Sequence, residues 1–344
     1  MIKTRKLAIV GATGLVGQTI LKVLKEKALP ITEYAFFASS RSKGKTISFL
    51  EKKYLVQELT ENSFDAGFDF AIFSAGSNIA KHFAPIAVSK GCTVIDNSSC
   101  FRMEDGVPLI VPEVNSEEIK NHHGIIANPN CSTIQAVVAL KPLDDNYGIK
   151  RIVYATYQAV SGSGYKGVMD LQSGIYHYDN AKSILENQNK DYALQKFPVP
   201  VFSNCLPHID IFLENSYTKE EEKMINETRK ILKRPNLKIT ATTVRVPVFN
   251  CHSEAINIEF EKDFDLIELK NKLRTFPGII VKDEPNFGIY PTVLDANNQD
   301  KVFVGRIRRD FSVPYGINLW VVADNLRKGA ASNAVQILEK LIKN

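Results

Sequence analysis

The sequence has few of the features that mark membrane, secreted or metal-binding proteins. Its 344 residues include five cysteines, an odd number, and no Cys-x-x-Cys pair, so neither a disulfide framework nor a structural zinc site is predicted. No apolar run approaches the roughly 18 residues that a membrane-spanning helix needs. The first apolar run, Leu7 to Val10, is too short for the core of a signal peptide. We therefore expect a cytoplasmic protein that binds no metal and enters no membrane.

Basic charge is not concentrated in any one part of the chain. The formal net charge is +5 and the isoelectric point is near 8.7, and the basic residues are spread along the sequence. This distribution gives little support to nucleic-acid binding, and we predict none. A hydrophobic content of 44% with 24% charged residues is ordinary for a globular protein with a core. The length is enough for two domains.

A glycine turn near the amino terminus joins a predicted strand to a predicted helix. Leu7 to Val10 has the apolar character of a buried parallel strand, and Gly11, Gly14 and Gly17 follow it. Apolar residues then recur at helical spacing from Leu15 onward. This arrangement is typical of a dinucleotide site, where the backbone approaches a pyrophosphate at a helix N-terminus. The alternative is a strand-to-helix turn that binds no ligand.

The end of the second predicted strand, Tyr34 to Ala38, lacks the acidic residue of NAD-binding folds. That carboxylate normally hydrogen-bonds the ribose 2′-hydroxyl. Here Ser39, Ser40 and Arg41 follow the strand, and their hydroxyls and guanidinium suit a 2′-phosphate. We therefore predict NADP rather than NAD as the cofactor. The alternative is a basic turn on the surface.

The pattern of predicted strands and helices changes at about residue 130. Up to about residue 130, short strands (68–76, 92–96, 109–114 and 124–128) and a helix (78–90) predict a doubly wound Rossmann-type domain. Beyond it, long alternating strands predict an α+β domain on a mostly antiparallel sheet. We expect a cofactor domain at 1–130, completed by a terminal helix at 326–344, and a catalytic and dimerisation domain at 131–325.

Cys131 lies in the segment NPNCST, between the end of a predicted strand and a run with helical spacing. A helix N-terminus carries a partial positive charge, which stabilises a thiolate and lowers the pKa of a thiol. We therefore predict that Cys131 is a nucleophile. Buried inert cysteines usually lie inside apolar runs, as Cys92 does. A nucleophile needs a proton acceptor, and His252, at the start of a predicted strand, is the candidate.

Motifs in order along nearly the whole chain resemble the aspartate-β-semialdehyde dehydrogenase family: GATGLVG, DNSSCFRM, VPEVN, NPNCST, YQAVSGSG, RVPV, HSE and ADNLRKGAA. The resemblance implies reduction of L-aspartyl-4-phosphate by NADPH to L-aspartate 4-semialdehyde and phosphate. That step serves the biosynthesis of lysine, diaminopimelate, methionine, threonine and isoleucine. It also implies a homodimer or homotetramer in which the sheets of the second domains meet. Three alternatives remain: N-acetyl-glutamyl-phosphate reductase, a non-catalytic NADP-binding regulator, and a cysteine hydrolase.

The same resemblance implies roles for particular side chains. Cys131 matches the nucleophile that becomes an acyl-thioester, His252 the acid/base, and Gln158 the residue that orients the acyl carbonyl. The substrate-binding residues would be Arg245 for the carboxylate, Arg102 for the phosphate, and Lys223 and Glu220 for the phosphate and amine ends. The NADP-binding residues would be Gly11, Thr13, Gly14, Leu15, Val16, Ser39, Ser40, Arg41, Ser161, Gly162 and Asn325. The family often has a small or aromatic residue where Cys100 stands, so Cys100 adds a second thiol near the predicted site.

Overall fold

The computed structural model describes residues 5–179 and 193–343. The strands β1 to β14 are, in chain order, Lys6–Val10, Glu33–Ala38, Thr46–Phe49, Lys52–Leu55, Gln57–Glu58, Phe70–Phe73, Thr93–Asp96, Ile125–Ala127, Ile149–Gln158, Lys238–Arg245, His252–Phe260, Ile279–Val281, Val302–Asp310 and Gly316–Ala323. The helices α1 to α9 are Leu15–Lys27, Ser77–Ser89, Pro112–Asn115, Cys131–Tyr147, Gly164–Asp179, Lys219–Leu232, Leu266–Thr275, Val293–Ala296 and Ser332–Lys343. Within the described ranges, no helix is both long and apolar enough to cross a membrane.

The chain divides into two compact units. The first unit comprises Met1–Lys141, Asn226–Asn236 and Leu326–Asn344, and the second comprises Pro142–Ile225 and Leu237–Asn325. Each unit has one six-stranded sheet. The first unit also contains the small antiparallel hairpin of β3 and β4.

The sheet of the first unit has the order β5-β2-β1-β6-β7-β8, and its pairs are parallel. Alternate residues of β1 enter different core clusters: Leu7 and Ile9 pack in one, Ala8 and Val10 in the other. The first cluster includes residues of α1 and α9, and the second includes residues of α2. Helices therefore cover both faces of the sheet, so the predicted doubly wound domain is confirmed. The last residue of the predicted terminal helix, Asn344, lies outside the described ranges.

One predicted strand of the first unit is wrong. The segment 109–114 forms a single bridge, from Leu109 to Ala127, and α3 begins at Pro112. Proline suits the first turn of a helix because its missing N–H has no partner there in any case. In addition, the Asn115 side chain accepts a hydrogen bond from the Val111 N–H and donates one to the Leu109 carbonyl. These bonds occupy backbone groups that a strand would use for pairing.

The sheet of the second unit has the order β10-β9-β11-β14-β13-β12. The inner pairs β9/β11, β11/β14 and β14/β13 are antiparallel, and the outer strands β10 and β12 pair in parallel. The prediction of a mostly antiparallel sheet is therefore confirmed. Along β11, His252, Glu254 and Ile256 are buried on one face of the sheet. This inner face carries the polar residues described below. Helix α5 was not predicted, because its glycine-rich beginning has the composition of a loop.

Candidate active site

The glycine turn after β1 is shaped by close backbone contacts. Gly11 has φ +86°, and a Cβ there would lie 2.3 Å from the Ser74 carbonyl oxygen. A Cβ on Gly17 would lie 2.2 Å from the Gly11 carbonyl oxygen, so neither position accepts a side chain. By contrast, a Cβ on Gly14 would meet only the Gly11 oxygen, at 3.5 Å. Gly14 is the N-cap of α1, and the open space beside it lets an anion approach the helix N-terminus.

The basic turn after β2 adjoins this glycine turn. Ser39, Ser40 and Arg41 are exposed there, and the Thr13 hydroxyl donates to the Ser42 hydroxyl at 3.4 Å. Leu15 and Val16, at the start of α1, are half-buried. The first unit thus brings together the residues predicted to bind the pyrophosphate and those predicted to bind the 2′-phosphate, with no carboxylate among residues 39–43.

Cys131 is the first residue of α4, as the sequence predicted. The Asn130 side chain precedes it and accepts hydrogen bonds from the Ser132 and Thr133 N–H groups, at 2.9 and 3.3 Å. This is an N-cap, which fixes where the helix begins. Gly329, in the π-helix Arg327–Ala331, packs against the cysteine: a Cβ on Gly329 would lie 2.8 Å from the Cys131 Cβ. A larger residue at 329 would push the thiol away.

Arg102 is buried, with 7% of its surface exposed, so it is not an ordinary surface cation. Its Nε donates to the Asn128 carbonyl at 2.9 Å and its Nη1 to Glu227 Oε1 at 3.0 Å. The other Glu227 oxygen accepts the Asn130 N–H at 2.6 Å. One buried carboxylate therefore links the guanidinium to the residue that precedes Cys131.

In the second unit, Arg245 and Gln158 are paired residues of neighbouring strands, and His252 begins the next strand. All three are buried. The backbone of Ala159 joins two of them: its N–H donates to His252 Nδ1 at 3.0 Å, and its carbonyl accepts from Arg245 Nη1. Because Nδ1 accepts a hydrogen bond, the neutral ring carries its proton on Nε2. Burial, together with the nearby Arg245 guanidinium, lowers the pKa of His252 to about 3.

Gly162 faces these two side chains. A Cβ on Gly162 would lie 3.2 Å from Arg245 Nη1 and 3.4 Å from His252 Nε2. Next to it, the Ser161 hydroxyl donates to Asn250 Oδ1 at 3.0 Å and accepts from Asn325 Nδ2 at 3.0 Å. The structure therefore brings Ser161, Gly162 and Asn325, the residues predicted for the nicotinamide side, close to the predicted acid/base.

Glu220 joins Gln158 to a cluster of charges. Gln158 Nε2 donates to Glu220 Oε1 at 3.1 Å, and the Lys223 ammonium donates to Glu220 Oε2 at 3.1 Å and to Asp210 Oδ2 at 2.7 Å. Glu220 is 5% exposed, so its charge-rich helix does not turn it to solvent. Burial would lower the pKa of Lys223, but the two carboxylates outweigh burial and the pKa is raised.

Two family models match successive parts of the chain. The family model described as the semialdehyde dehydrogenase, NAD binding domain, matches residues 6–122. The model described as the semialdehyde dehydrogenase, dimerisation domain, matches residues 140–328. The aspartate-semialdehyde dehydrogenase of Aquifex aeolicus is 52% identical over 98% of this chain and 98% of its own. The chain belongs to the aspartate-semialdehyde dehydrogenase family.

Two solved structures of aspartate-semialdehyde dehydrogenases also resemble the chain. Aspartate semialdehyde dehydrogenase II from Vibrio cholerae, complexed with ASA, has a TM-score of 0.92 and 45% identity and covers 99% of both chains. The enzyme from Candida albicans with NADP has a TM-score of 0.75 and 26% identity and covers 98% of both. The predictions of the family, of an enzyme and of NADP as the cofactor are confirmed, and neither the rival reductase nor a non-catalytic regulator is favoured.

Three polar residues that adjoin or contact predicted site residues were not themselves predicted. Asn130 could have been found from its position, because asparagine directly before a helical run is an N-cap signal. Glu227 lies in a run of charged residues, which normally marks a solvated helix face, yet it is 1% exposed. Asp210 belongs to no motif, so its pairing with Lys223 could not be predicted from the sequence. In the described part of the chain, no group of His, Cys, Asp and Glu could hold a metal ion.

Proposed function

We propose that the chain catalyses the NADP-dependent interconversion of L-aspartyl-4-phosphate with L-aspartate 4-semialdehyde and phosphate, through an acyl-thioester on Cys131. The observation that carries the proposal is the buried cluster of the second unit, in which His252 and Arg245 share the Ala159 backbone and Gln158 contacts Glu220. In a cell, this activity serves the biosynthesis of lysine, diaminopimelate, methionine, threonine and isoleucine.

NADP fits the residues that were predicted to bind it. The close contacts at Gly11 and Gly17 hold an open turn at Gly14 for the pyrophosphate. Arg41 and the serines before it would bind the 2′-phosphate, and Ser161, Gly162 and Asn325 would bind the nicotinamide side. NADPH, when bound, supplies the hydride that reduces the acyl group.

Cys131 performs the covalent chemistry. Its Sγ attacks the acyl-phosphate carbon, a carbon–sulfur bond forms, and the carbon–oxygen bond to phosphate breaks with its electron pair on the departing phosphate. Arg102 and Lys223 stabilise the charge on that phosphate. After reduction, the carbon–sulfur bond breaks, and the thiolate leaves as the aldehyde forms. The N-terminal position of Cys131 in α4 favours the thiolate in the first and last steps.

His252 presents a proton at Nε2. Its Nδ1 is occupied by the Ala159 N–H and its pKa is lowered to about 3, so at neutral pH the ring is uncharged and acts as a donor at Nε2. We infer that this N–H stabilises the negative charge that develops on the acyl oxygen and exchanges the proton as the tetrahedral intermediate collapses.

The two ends of the substrate are recognised by opposite charges. Arg245 would bind the α-carboxylate with its guanidinium fork, and Glu220 would bind the α-amine. Lys223 is already paired with Glu220 and Asp210, so phosphate binds there by competing with those carboxylates. Gln158 holds the acyl carbonyl between the two ends.

We further propose where and in what form the enzyme works. The expected setting is the cytoplasm, and the expected assembly is a homodimer or a tetramer of two such dimers. Residues 1–130 and 326–344 would form the cofactor domain, and residues 131–325 the catalytic and dimerisation domain.

Substrate preference tests the function. In the phosphate-dependent direction, NADPH formation is followed with L-aspartate 4-semialdehyde and with N-acetyl-L-glutamate 5-semialdehyde. The acetamide of the second aldehyde offers Glu220 no positive charge in place of the α-ammonium, and a site built for a polar group of its substrate can reject an analogue that lacks that group by a factor of about 10⁴ in kcat/KM. We expect a preference for the aspartate aldehyde approaching that factor. Arg245→Lys, which keeps the charge but not the fork, should lose most of the activity.

A similar kcat/KM for both aldehydes would contradict the assignment of the substrate and favour the rival reductase. Omitting phosphate provides the control, because a simple aldehyde oxidation would proceed without it.

A further inference from the structure

Two further polar residues, Thr156 and Glu254, lie on the same inner face of the second sheet as Gln158. Thr156 precedes Gln158 by two positions on β9, so both side chains point to the same face. The Thr156 hydroxyl donates to Gln158 Oε1 at 3.0 Å. The two residues are 0% and 2% exposed. This hydrogen bond is therefore shielded from water. A shielded hydrogen bond is stronger than one at a surface.

Thr156 and Glu220 together fix which way the Gln158 amide faces. An amide has an acceptor oxygen and a donor nitrogen of nearly equal shape, so only its partners distinguish the two orientations. With Oε1 held by Thr156, Nε2 faces Glu220 and donates to it at 3.1 Å. The reversed amide would place its oxygen against the Glu220 carboxylate. The second N–H of Nε2 then remains to bind the acyl carbonyl.

Glu254 lies directly across from Thr156. The two are paired residues of the antiparallel strands β11 and β9, and directly opposed side chains have Cβ atoms about 5 Å apart. Glu254 is 0% exposed, and within the described chain neither of its carboxyl oxygens has a hydrogen-bond partner. Burial raises the pKa of Glu254 well above its ordinary value, which favours the neutral acid, the form that has one O–H to donate.

The hydroxyl of Thr156 can accept a hydrogen bond from a donor of this kind. Its single hydrogen is used on Gln158, so towards any other group it can only accept. Only the protonated form of Glu254 has a hydrogen to give, and an ionised carboxylate would be an unpaired buried charge. The structure shows no hydrogen bond from either Glu254 oxygen, so the connection to Thr156 requires a change of the Glu254 rotamer or one water between the two side chains.

We propose that Thr156 and Glu254 are positioning residues: a donor chain from the Glu254 carboxyl to the Thr156 hydroxyl to Gln158 Oε1 holds the amide so that Nε2 faces the acyl carbonyl of the substrate. The proposal rests on the proposed function, because it assigns the acyl carbonyl as the group that Gln158 orients. It adds residues that do not touch the substrate and act only through Gln158.

Substitution of Thr156 tests the first link. Thr156→Val keeps the shape and removes the hydroxyl, so kcat should fall by about 10-fold to 100-fold, the range for a misplaced reacting group. KM for the aldehyde and the affinity for NADPH should stay unchanged. Thr156→Ser, which keeps the hydroxyl, should restore most of kcat. Full activity in Thr156→Val, or equal losses in the two variants, would overturn the proposal.

A double-mutant cycle separates positioning from general damage. If Thr156 acts only through Gln158, adding Thr156→Val to Gln158→Ala should cause no further loss of kcat. Additive losses would mean that Thr156 acts elsewhere and would overturn the proposal.

Glu254 is tested by a pair of substitutions of similar size. Glu254→Met removes every donor and should lower kcat in the same way as Thr156→Val, whereas Glu254→Gln keeps an uncharged donor and should rescue most of that loss. A shift of the pH profile of kcat in Glu254→Gln would show that the carboxyl is ionised and would overturn its role as a neutral donor. These readouts require an active unmutated enzyme, so an inactive parent chain would refute the proposed function instead.

Discussion

At the scale of single residues, the surroundings of the five cysteines differ sharply. Burial raises the pKa of the Cys92 thiol to about 12 and raises that of Cys251 further. Burial also raises the pKa of Cys100. Cys205 is exposed. Cys131 alone among them begins a long helix behind an N-cap, where a thiolate is favoured.

Alkylation with iodoacetamide should therefore label Cys131 fastest, with exposed Cys205 as its main competitor. Peptide mapping over time measures the order, and aspartate semialdehyde should protect Cys131 but not Cys205. Cys131→Ala should abolish turnover while NADPH still binds, because alanine removes Sγ and keeps the Cβ that Gly329 accommodates. Cys205→Ser is the matched control and should remain fully active. Equal labelling rates for the five thiols would refute the activated nucleophile.

At the scale of elements, β11 carries two buried titratable groups with opposite shifts. The pKa of His252 is lowered to about 3 by burial and by Arg245, and the pKa of Glu254 is raised by burial. A lowered histidine pKa means that the unfolded chain binds a proton which the folded chain does not, so stability is lost as the pH falls below about 6.5. A raised carboxyl pKa has the reverse effect: stability is lost as the pH rises above about 4.5.

Thermal unfolding measured across a range of pH tests the direction of both effects on stability. Between about pH 6.5 and 4.5, the His252 contribution should fall by up to about 1.4 kcal/mol per pH unit, and His252→Asn should remove that part of the acid sensitivity. Glu254→Gln should raise the melting temperature relative to the parent above neutral pH and lose that advantage towards pH 4.5. Identical pH profiles for parent and variants would show that neither group titrates as described.

At the scale of the whole molecule, several apolar side chains are exposed on the outer face of the second sheet, beside polar ones such as Asn257. Val153, Ala155 and Ala255 are partly exposed there, and Tyr157 is 40% exposed. Its ring lies 5.5 Å from that of Trp320, centroid to centroid. A group of exposed apolar residues rimmed by polar ones is typical of an interaction surface. Its unit matches a dimerisation domain, so a second copy of the chain is the expected partner.

Introducing a charge on this face should dissociate the oligomer. Ala255→Glu would place a carboxylate at the centre of the sheet, and desolvating it on assembly is costly. Sedimentation velocity should show a dimer or larger species for the parent and a monomer for the variant. Thr46→Glu, on the exposed hairpin of the first unit, is the control and should leave assembly unchanged. An Ala255→Glu protein that sediments like the parent would place the interface elsewhere.

Local rules accounted for much of the fold and for part of the site. The start of α4 at Cys131 and the start of β11 at His252 follow from short-range signals, namely the N-cap and the alternation of burial. Prediction failed where side chains compete with the backbone, as Asn115 does in segment 109–114. It also failed for Glu227, because a charged residue in a charged run has no local mark of burial.

The sequence by itself determined the elements and their chemistry: the glycine turn, the basic turn without a carboxylate, the thiol at a helix start and the family to which these motifs belong. Each of these local features depends on residues that lie within a few positions of one another. The composition and spacing of a short segment are therefore enough to predict it. Only the tertiary structure decided that Glu227 joins Arg102 to Asn130, that the Ala159 backbone sets the tautomer of His252, and that Glu254 faces Thr156. Each pairing spans dozens of positions in the chain and depends on strand register and burial, which the order of residues does not state.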